Sequence, residues 1–387
     1  MKILMVHNTY QVRGGEDSVE ENEVELLRSN GHDVTELKVN NEIINGFFSK
    51  LWVALSVIFS ISGYKIISRA IEKEKPDVVH VHNYFPVLSP SIFYACKKKA
   101  VPVVHTLHNF RAICPTALLQ HKGRIVERSI ADGPWWAVKE RVYRGSLVGT
   151  FFLALMIAFH RKAGTWRRQV DAYIALTEFN KQKYVEAGWP EDKIFVKPNF
   201  TRHMSDSLKH RKPYALFVGR LSEEKGVPFL LDAFKDSADL ELRIIGEGPL
   251  ESLVREAANT NIHYLGKQPK ETVFEHMESA ACLTMTSNWY EGFPMVIVEA
   301  MSCGLPVVVP AMGNMEIIVP NGKAGMHYQP EDKTSFISSV RRLLMDDQFR
   351  DDLSAGARME YNQKYTAEVN LVMLEAVYDF ARSGANH

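Results

Sequence analysis

The chain of 387 residues reads as an α/β protein made of two doubly wound, Rossmann-like parallel-sheet domains in series, facing each other across a cleft. Three observations predict this. Short apolar runs alternate with helix-length segments, a polar stretch interrupts the alternation near the middle, and the alternation then restarts.

Lys2–His7 is the first apolar run and reads as a strand. Val12-Arg13-Gly14-Gly15-Glu16-Asp17 reads as a loop entering a helix over about Ser18–Ser29, with Val19, Val24 and Leu27 on one face. Gly31 ends that helix, and His32–Val39 is the next strand. The order recurs with strands Asp77–His82, Val101–Leu107 and Asp171–Leu176, a helix near Ser89–Lys99, and another opening at Thr177. Pro198–Phe200 and the polar stretch Thr201–Pro213 have no periodicity and read as a linker. Beyond it, strands fall at Tyr214–Val218, Leu240–Ile245, Ile262–Leu265, Cys282–Met285 and Val307–Val309. Helices fit Val227–Phe234, Leu250–Ala258, Lys270–Ser279, Pro294–Ser302, Lys333–Leu344 and a final Glu368–Arg382. The predicted domains are 1–200 and 201–365, with a last segment of about 366–387 crossing back to the first.

Apolar and charged fractions of 46% and 24% are ordinary for a globular chain. The formal net charge is +0 but unevenly spread, with 27 basic against 20 acidic residues in 1–198 and 19 against 26 in the remainder. An anionic ligand or surface near the first half fits that asymmetry. Cys96, Cys114, Cys282 and Cys303 form no C-x-x-C pair and no zinc-finger spacing, so a reduced, cytosolic protein without disulfides is expected. Met1–Val6 reads as a strand and not a secretory signal.

The strongest chemical signal is Glu291-Gly292-Phe293-Pro294-Met295-Val296-Ile297-Val298-Glu299. Pro294 suits a helix's first turn. The predicted helix start near Phe293–Val296 therefore offers free N–H groups, which suit a diphosphate. The second signal is Gly219-Arg220-Leu221-Ser222-Glu223-Glu224-Lys225-Gly226, between a strand and a helix, where Arg220 and Lys225 are placed to neutralise two phosphates. The third is Gly14-Gly15, after the first strand, where backbone can approach a phosphate closely. It is not G-x-G-x-x-G, and neither is Gly246-Glu247-Gly248-Pro249, so a nicotinamide site is disfavoured.

Together these residues resemble the family-4 glycosyltransferases of the GT-B fold. The pieces fall in the family's order: Phe217–Arg220, Lys225-Gly226, Ile245–Leu250, Tyr264–Gly266, Thr286-Ser287, the E-x7-E pair Glu291 and Glu299, Gly304–Val308 and Glu316. The resemblance implies that Glu291 contacts the donor sugar and Glu299 the ribose. It implies that Arg220 and Lys225 hold the diphosphate beside Gly292, Phe293, Pro294 and Met295, that Gly14 and Gly15 approach it, and that the base lies near Gly266 and Lys267. Thr106-Leu107-His108-Asn109 resembles the family's T-x-H-D segment with Asn109 in place of Asp, which makes His108 the residue expected near the reacting centre. His80, His82 and His105 alternate on strands and suit a polar cleft, and no metal site is assigned to them.

The resemblance further implies a retaining, metal-independent transfer without a cofactor. The nucleotide sugar, UDP- or GDP-linked, is a substrate, and the acceptor is a glycan or lipid-linked glycan of a bacterial surface polysaccharide such as O-antigen, capsule or exopolysaccharide. Leu51–Gly63 and Ser146–Phe159 are apolar, too short to span a bilayer of roughly 20 helical residues, and the second is flanked by cations. An anionic membrane surface is therefore an expected partner, with the enzyme peripheral on the inner face of the cytoplasmic membrane. No nucleic-acid partner is expected. The alternatives are transfer to a small soluble acceptor, a GT-B nucleotide-sugar epimerase, and a non-catalytic nucleotide-sugar binding module.

Overall fold

The computed structural model describes residues 1–9, 15–40, 56–202 and 211–384. By their contacts they divide into two units, Met1–His121 with Val126–Pro198 and Asn370–His387, and Lys122–Ile125 with Asn199–Val369.

The first unit is built on six parallel strands, β1 (Lys2–Thr9), β2 (Asp33–Asn40), β3 (Val78–Asn83), β4 (Val103–Leu107), β5 (Ala172–Ala175) and β6 (Ile194–Val196), in the order β2-β1-β3-β4-β5-β6. Helices α1 (Gly15–Ser29), α2 (Ile61–Glu74), α3 (Ser91–Lys98), α4 (Leu147–Lys162) and α5 (Glu178–Glu186) lie between them in sequence. Strand order reverses between β1 and β3. In an open α/β sheet a ligand is expected beyond the carboxyl ends of the strands at that reversal.

Local sequence fixes most of these boundaries. Ser60, Ser146 and Thr177 cap α2, α4 and α5 by accepting from Gly63, Gly149 and Asn180 N–H groups. Helix α1 begins earlier than its sequence suggests. Gly15, Glu16 and Asp17 were expected in a loop but form its first turn, where two carboxylates complement the helix dipole. Val12, Arg13 and Gly14 lie outside the described residues, as do 51–55 of the apolar segment Leu51–Gly63.

The second unit repeats the plan with β7 (Tyr214–Val218), β8 (Glu241–Ile245), β9 (Ile262–Gly266), β10 (Cys282–Thr284), β11 (Val307–Pro310) and β12 (Gly325–Tyr328), in the order β9-β8-β7-β10-β11-β12. The reversal falls between β7 and β10. Helices α6 (Val227–Lys235), α7 (Glu251–Ala257), α8 (Lys270–Ser279), α9 (Met295–Ser302), α10 (Gly313–Ile318), α11 (Lys333–Met345) and α12 (Asp347–Lys364) accompany it. Two apolar clusters form its core, one holding Ile297, Met301, Val307 and Met315 and the other Phe217, Leu230, Phe234 and Phe336. The last helix, α13 (Ala367–Gly384), places Leu374, Val377, Tyr378 and Ala381 in the core of the first unit.

One end of the expected linker is core. Arg211 is buried, and its guanidinium donates to the carbonyls of Met277, Ala280, Cys303 and Gly304 at 2.6–3.1 Å. Burial pulls its pKa down to about 10. Residues 203–210 of the expected linker lie outside the described residues.

Candidate functional site

In the second unit the loops after β7 and β10, the two strands flanking the reversal, are sewn together. Thr286 Oγ1 donates to the Lys225 carbonyl at 2.8 Å, and the Asn288 N–H donates to the Glu224 carbonyl at 3.1 Å. Gly226, at φ +68, packs so closely that a Cβ would lie 1.8 Å from the Thr286 carbonyl oxygen. This contact brings the two sequence signals together. Lys225 Nζ reaches Glu291 Oε1 at 2.6 Å, and Ser287 Oγ donates to the same oxygen at 2.6 Å. Asn314 Nδ2 donates to the Gly292 carbonyl at 2.8 Å and also to that of Glu291, fixing the turn before α9. Pro294 stands at the N-cap of α9, one residue before the first turn where the sequence places it, and Met295 opens the helix.

Glu291 is buried, Lys225 half-buried, and Arg220 exposed in the loop after β7. Phe293 is half-buried, with its ring 6.2 Å from that of Tyr365. Glu299 sits in the second turn of α9. Burial raises its carboxyl above the ordinary range, and Lys270, 3.6 Å away, offsets this only in part. Such a group gains from hydrogen-bond donors supplied by a ligand. Gly266, at the end of β9, accepts from the Gly246 N–H at 3.0 Å, while the exposed Lys267 pairs with Glu247 at 2.6 Å.

In the first unit the carboxyl ends of β1, β3 and β4 carry histidines. His7 Nε2 is 2.8 Å from Asp17 Oδ1 of α1, beside Gly15. His80 is held at both nitrogens, by Tyr378 of α13 at 2.8 Å and Thr106 at 2.7 Å. His82 Nδ1 meets His108 Nε2 at 2.9 Å. Burial is the main reason that His80 and His108 are driven well below the ordinary histidine range, with His82 adding to it. His82, His108, Asn109 and Arg111 help line one small pocket. Asn109, the substituted position of the expected T-x-H-D segment, turns its side-chain oxygen to the Arg111 N–H at 3.0 Å.

Two residues that the sequence reading did not single out complete this network. Glu23 of α1 and Lys197 after β6 pair at 2.6 Å with both side chains fully buried, and Lys197 also donates to Asn370 at 3.0 Å. The signal for Glu23 was its phase. Glu16, Glu20, Glu23 and Leu27 recur at helical spacing, and Glu20, Glu23 and Leu27 are all buried on the inward side of α1.

Ligand atoms of Glu23, His80 and His82 lie within 4.8 Å of one another, a spacing that suits a metal ion. The chemistry of the set does not fit one. His80 has both nitrogens engaged, and the Lys197 ammonium already neutralises Glu23. His105, the third histidine of the sequence cluster, turns instead to the Val81 carbonyl at 2.8 Å.

Two family models match. One, described as Glycosyltransferase Family 4, covers residues 20–203, and the other, Glycosyl transferases group 1, covers residues 199–360. The chain belongs to the family 4 glycosyltransferases. An uncharacterized glycosyltransferase of Methanocaldococcus jannaschii is 24% identical to it over 98% of each chain. The lipopolysaccharide 1,6-galactosyltransferase of Escherichia coli is 27% identical over 56% of this chain and 65% of its own. Among solved structures, Anabaena HepE in complex with UDP and glucose superposes with a TM-score of 0.67 at 17% identity, over 98% of this chain and 100% of its own. The fold is thus that of the GT-B enzymes, and the activity of this glycosyltransferase is transfer of a glycosyl group.

Proposed function

We propose that this glycosyltransferase moves a sugar from a UDP- or GDP-sugar to a hydroxyl of a lipid-linked glycan in bacterial surface-polysaccharide assembly, with retention of anomeric configuration and without a metal. The observation that carries the donor half is the Lys225–Glu291 pair at the strand-order reversal, beside the start of α9. Lys225, Arg220 and the N–H groups at the start of α9, at Met295 and Val296, suit the two phosphates. Glu291 suits the sugar hydroxyls, Glu299 the ribose, and the backbone near Gly266 and Lys267 the base. In the first unit, Gly15 and His108 suit the phosphate and the reacting sugar, and Gly14 shares the first role.

In this reading the leaving diphosphate takes the acceptor hydroxyl's proton as the new C–O bond forms on the face from which the old one departs. The cations offset the charge that develops on the phosphate, a contribution present only as the bond breaks. HepE, with UDP and glucose bound, supports trying uridine donors first. The test is a thermal-shift series with UDP and GDP on the wild type, Lys225→Ala and Glu291→Ala. A rise in Tm with one nucleotide, abolished by Lys225→Ala, is expected. No shift with either nucleotide removes the donor reading.

Helix α4 favours the lipid-linked acceptor. Thr150, Leu153, Met156, Ile157 and His160 face inward, whereas Leu147, Val148, Phe151 and Phe159 are 40–53% exposed on the other side. Trp135, 45% exposed, extends the strip, with its ring 6.0 Å from that of Phe151. The helix contains no acidic residue, and Arg141, Arg144, Arg161 and Lys162 stand exposed at its ends. None of the described helices is long and apolar enough to cross a membrane. An apolar strip with cations at both ends suits the headgroup boundary of an anionic leaflet. Co-sedimentation with phosphatidylglycerol vesicles is expected, weakening with salt. No binding at any salt favours a soluble acceptor.

A further inference from the structure

Strands β3 and β4 end side by side, and His82 of β3 stacks on His108, just past the end of β4, with ring centroids 5.1 Å apart. In the 2.9 Å contact between His82 Nδ1 and His108 Nε2, one nitrogen carries the hydrogen and the other accepts it. The far side of His82 decides which. Its Nε2 is buried and lies 3.3 Å from Glu23 Oε2, an ion-pair distance, and neither atom has a hydrogen-bond partner among the described residues. Burial pushes the Glu23 carboxyl up, but the buried Lys197 ammonium 2.6 Å away leads the interactions that hold it well below its usual range. An ionised carboxylate only accepts, so His82 carries its hydrogen on Nε2. His82 Nδ1 is then a lone pair, and His108 must donate from Nε2. A doubly protonated His82 would reverse this last step, but it would set a second buried cation against a carboxylate that Lys197 already neutralises.

We propose that Glu23, acting through His82, fixes His108 in its Nε2–H tautomer, so that His108 offers a sugar hydroxyl an acceptor at Nδ1 and no donor. Glu23 and His82 are positioning residues for His108. Asn109 does not take this part, because its side-chain oxygen serves the Arg111 backbone. The functional half of the proposal rests on reading His108 as a neighbour of the donor sugar.

Long-range proton–nitrogen correlation spectra of the histidine-labelled full chain at neutral pH test it, with His108 assigned by its disappearance in His108→Asn. The expected pattern for His108 is a protonated Nε2 and a bare Nδ1. A protonated Nδ1, or a charged ring, overturns the proposal, and this arm needs no variant other than His108→Asn to fold. The double variant Glu23→Met/Lys197→Met removes the carboxylate without leaving an unpaired buried ammonium. In it the His108 signals are expected to move toward a mixture of tautomers. Because rate scales with the competent fraction, kcat is expected to fall about twofold for an even mixture, with the donor KM nearly unchanged. Unchanged His108 signals in that variant also overturn the proposal. Full turnover by His108→Asn, with the spectra as expected, overturns the placing of His108 at the sugar and leaves the tautomer statement intact, so the two failures are distinguishable.

Discussion

The two clusters of charge in this glycosyltransferase are built on opposite principles. In the second unit Lys225 and Glu291 pair at the surface end of a sheet, joined by two loops whose backbones hydrogen-bond to each other, and Lys225 keeps part of its side chain in water. In the first unit Glu23, His82 and Lys197 are fully buried and reach across α1, β3 and the end of β6, with Tyr378 of α13 closing the network at His80. The contrast teaches where each task can be done. Lys225, which we propose meets a diphosphate, keeps part of its side chain accessible. A charge that only sets a neighbour's proton can be buried, provided a counter-charge such as Lys197 is buried beside it.

Four experiments break or sharpen that contrast, beginning with the largest effect. Lys197→Met strands an unpaired carboxylate in the first unit, and a loss of about 3–5 kcal/mol is expected in urea unfolding. Glu23's pKa is lowered by folding, so the pair's contribution is complete above the unfolded carboxyl's range and disappears as pH falls through the folded value. The wild type should therefore lose stability in acid more steeply than Glu23→Met/Lys197→Met. If Lys197→Met unfolds at the wild-type midpoint, the buried network is not a stability element.

Lys225→Ala and Glu291→Ala come next. Each is expected to lower kcat/KM by about 10²- to 10³-fold, as removal of a charge-stabilising group does, with little change in Tm. A collapse of Tm instead would make the second cluster structural, like the first.

Glu299→Gln has a smaller effect, with opposite signs in two assays. Its carboxyl is raised in the fold, so ionising it costs stability, and the wild type weakens as pH rises from the unfolded toward the folded value. The variant should be slightly more stable near neutral pH and bind donor less tightly. Donor affinity of the wild type should fall as pH drops through the raised value, while that of Glu299→Gln stays flat. Matching pH profiles would remove Glu299 from the donor site. The smallest effect on the fold is that of Phe151→Asp, expected to change stability by less than about 0.5 kcal/mol while abolishing vesicle binding. Retained binding would mean that α4 is not the contacting face.

Most strands were legible because buried parallel strands are continuous apolar runs. Tyr214–Val218 and Lys270–Ser279 fall where periodicity puts them. Helix α12 was not legible, because its inward positions are Arg350, Leu353, Ser354, Ala357 and Tyr361, which give no apolar stripe. Strands β6 and β12, at the outer edge of each sheet, were missed because β6 is short and mostly half-buried and the glycine and histidine of β12 break its apolar run. Arg211 looked like linker because its four carbonyl partners come from α8 and from the turns that follow α8 and α9.

By itself the sequence determined the two-sheet plan and singled out the loops Gly219–Gly226 and Glu291–Glu299, since both rest on local pattern: strand-length apolar runs, a helix start at Pro294, and two carboxylates eight residues apart. Tertiary structure decided that Lys225 grips Glu291, that Glu23 stands behind His82, and that Asn109 turns away from His108. The physical reason is that a hydrogen-bond partner is chosen by distance in space, and in a doubly wound sheet neighbouring strand ends are far apart along the chain.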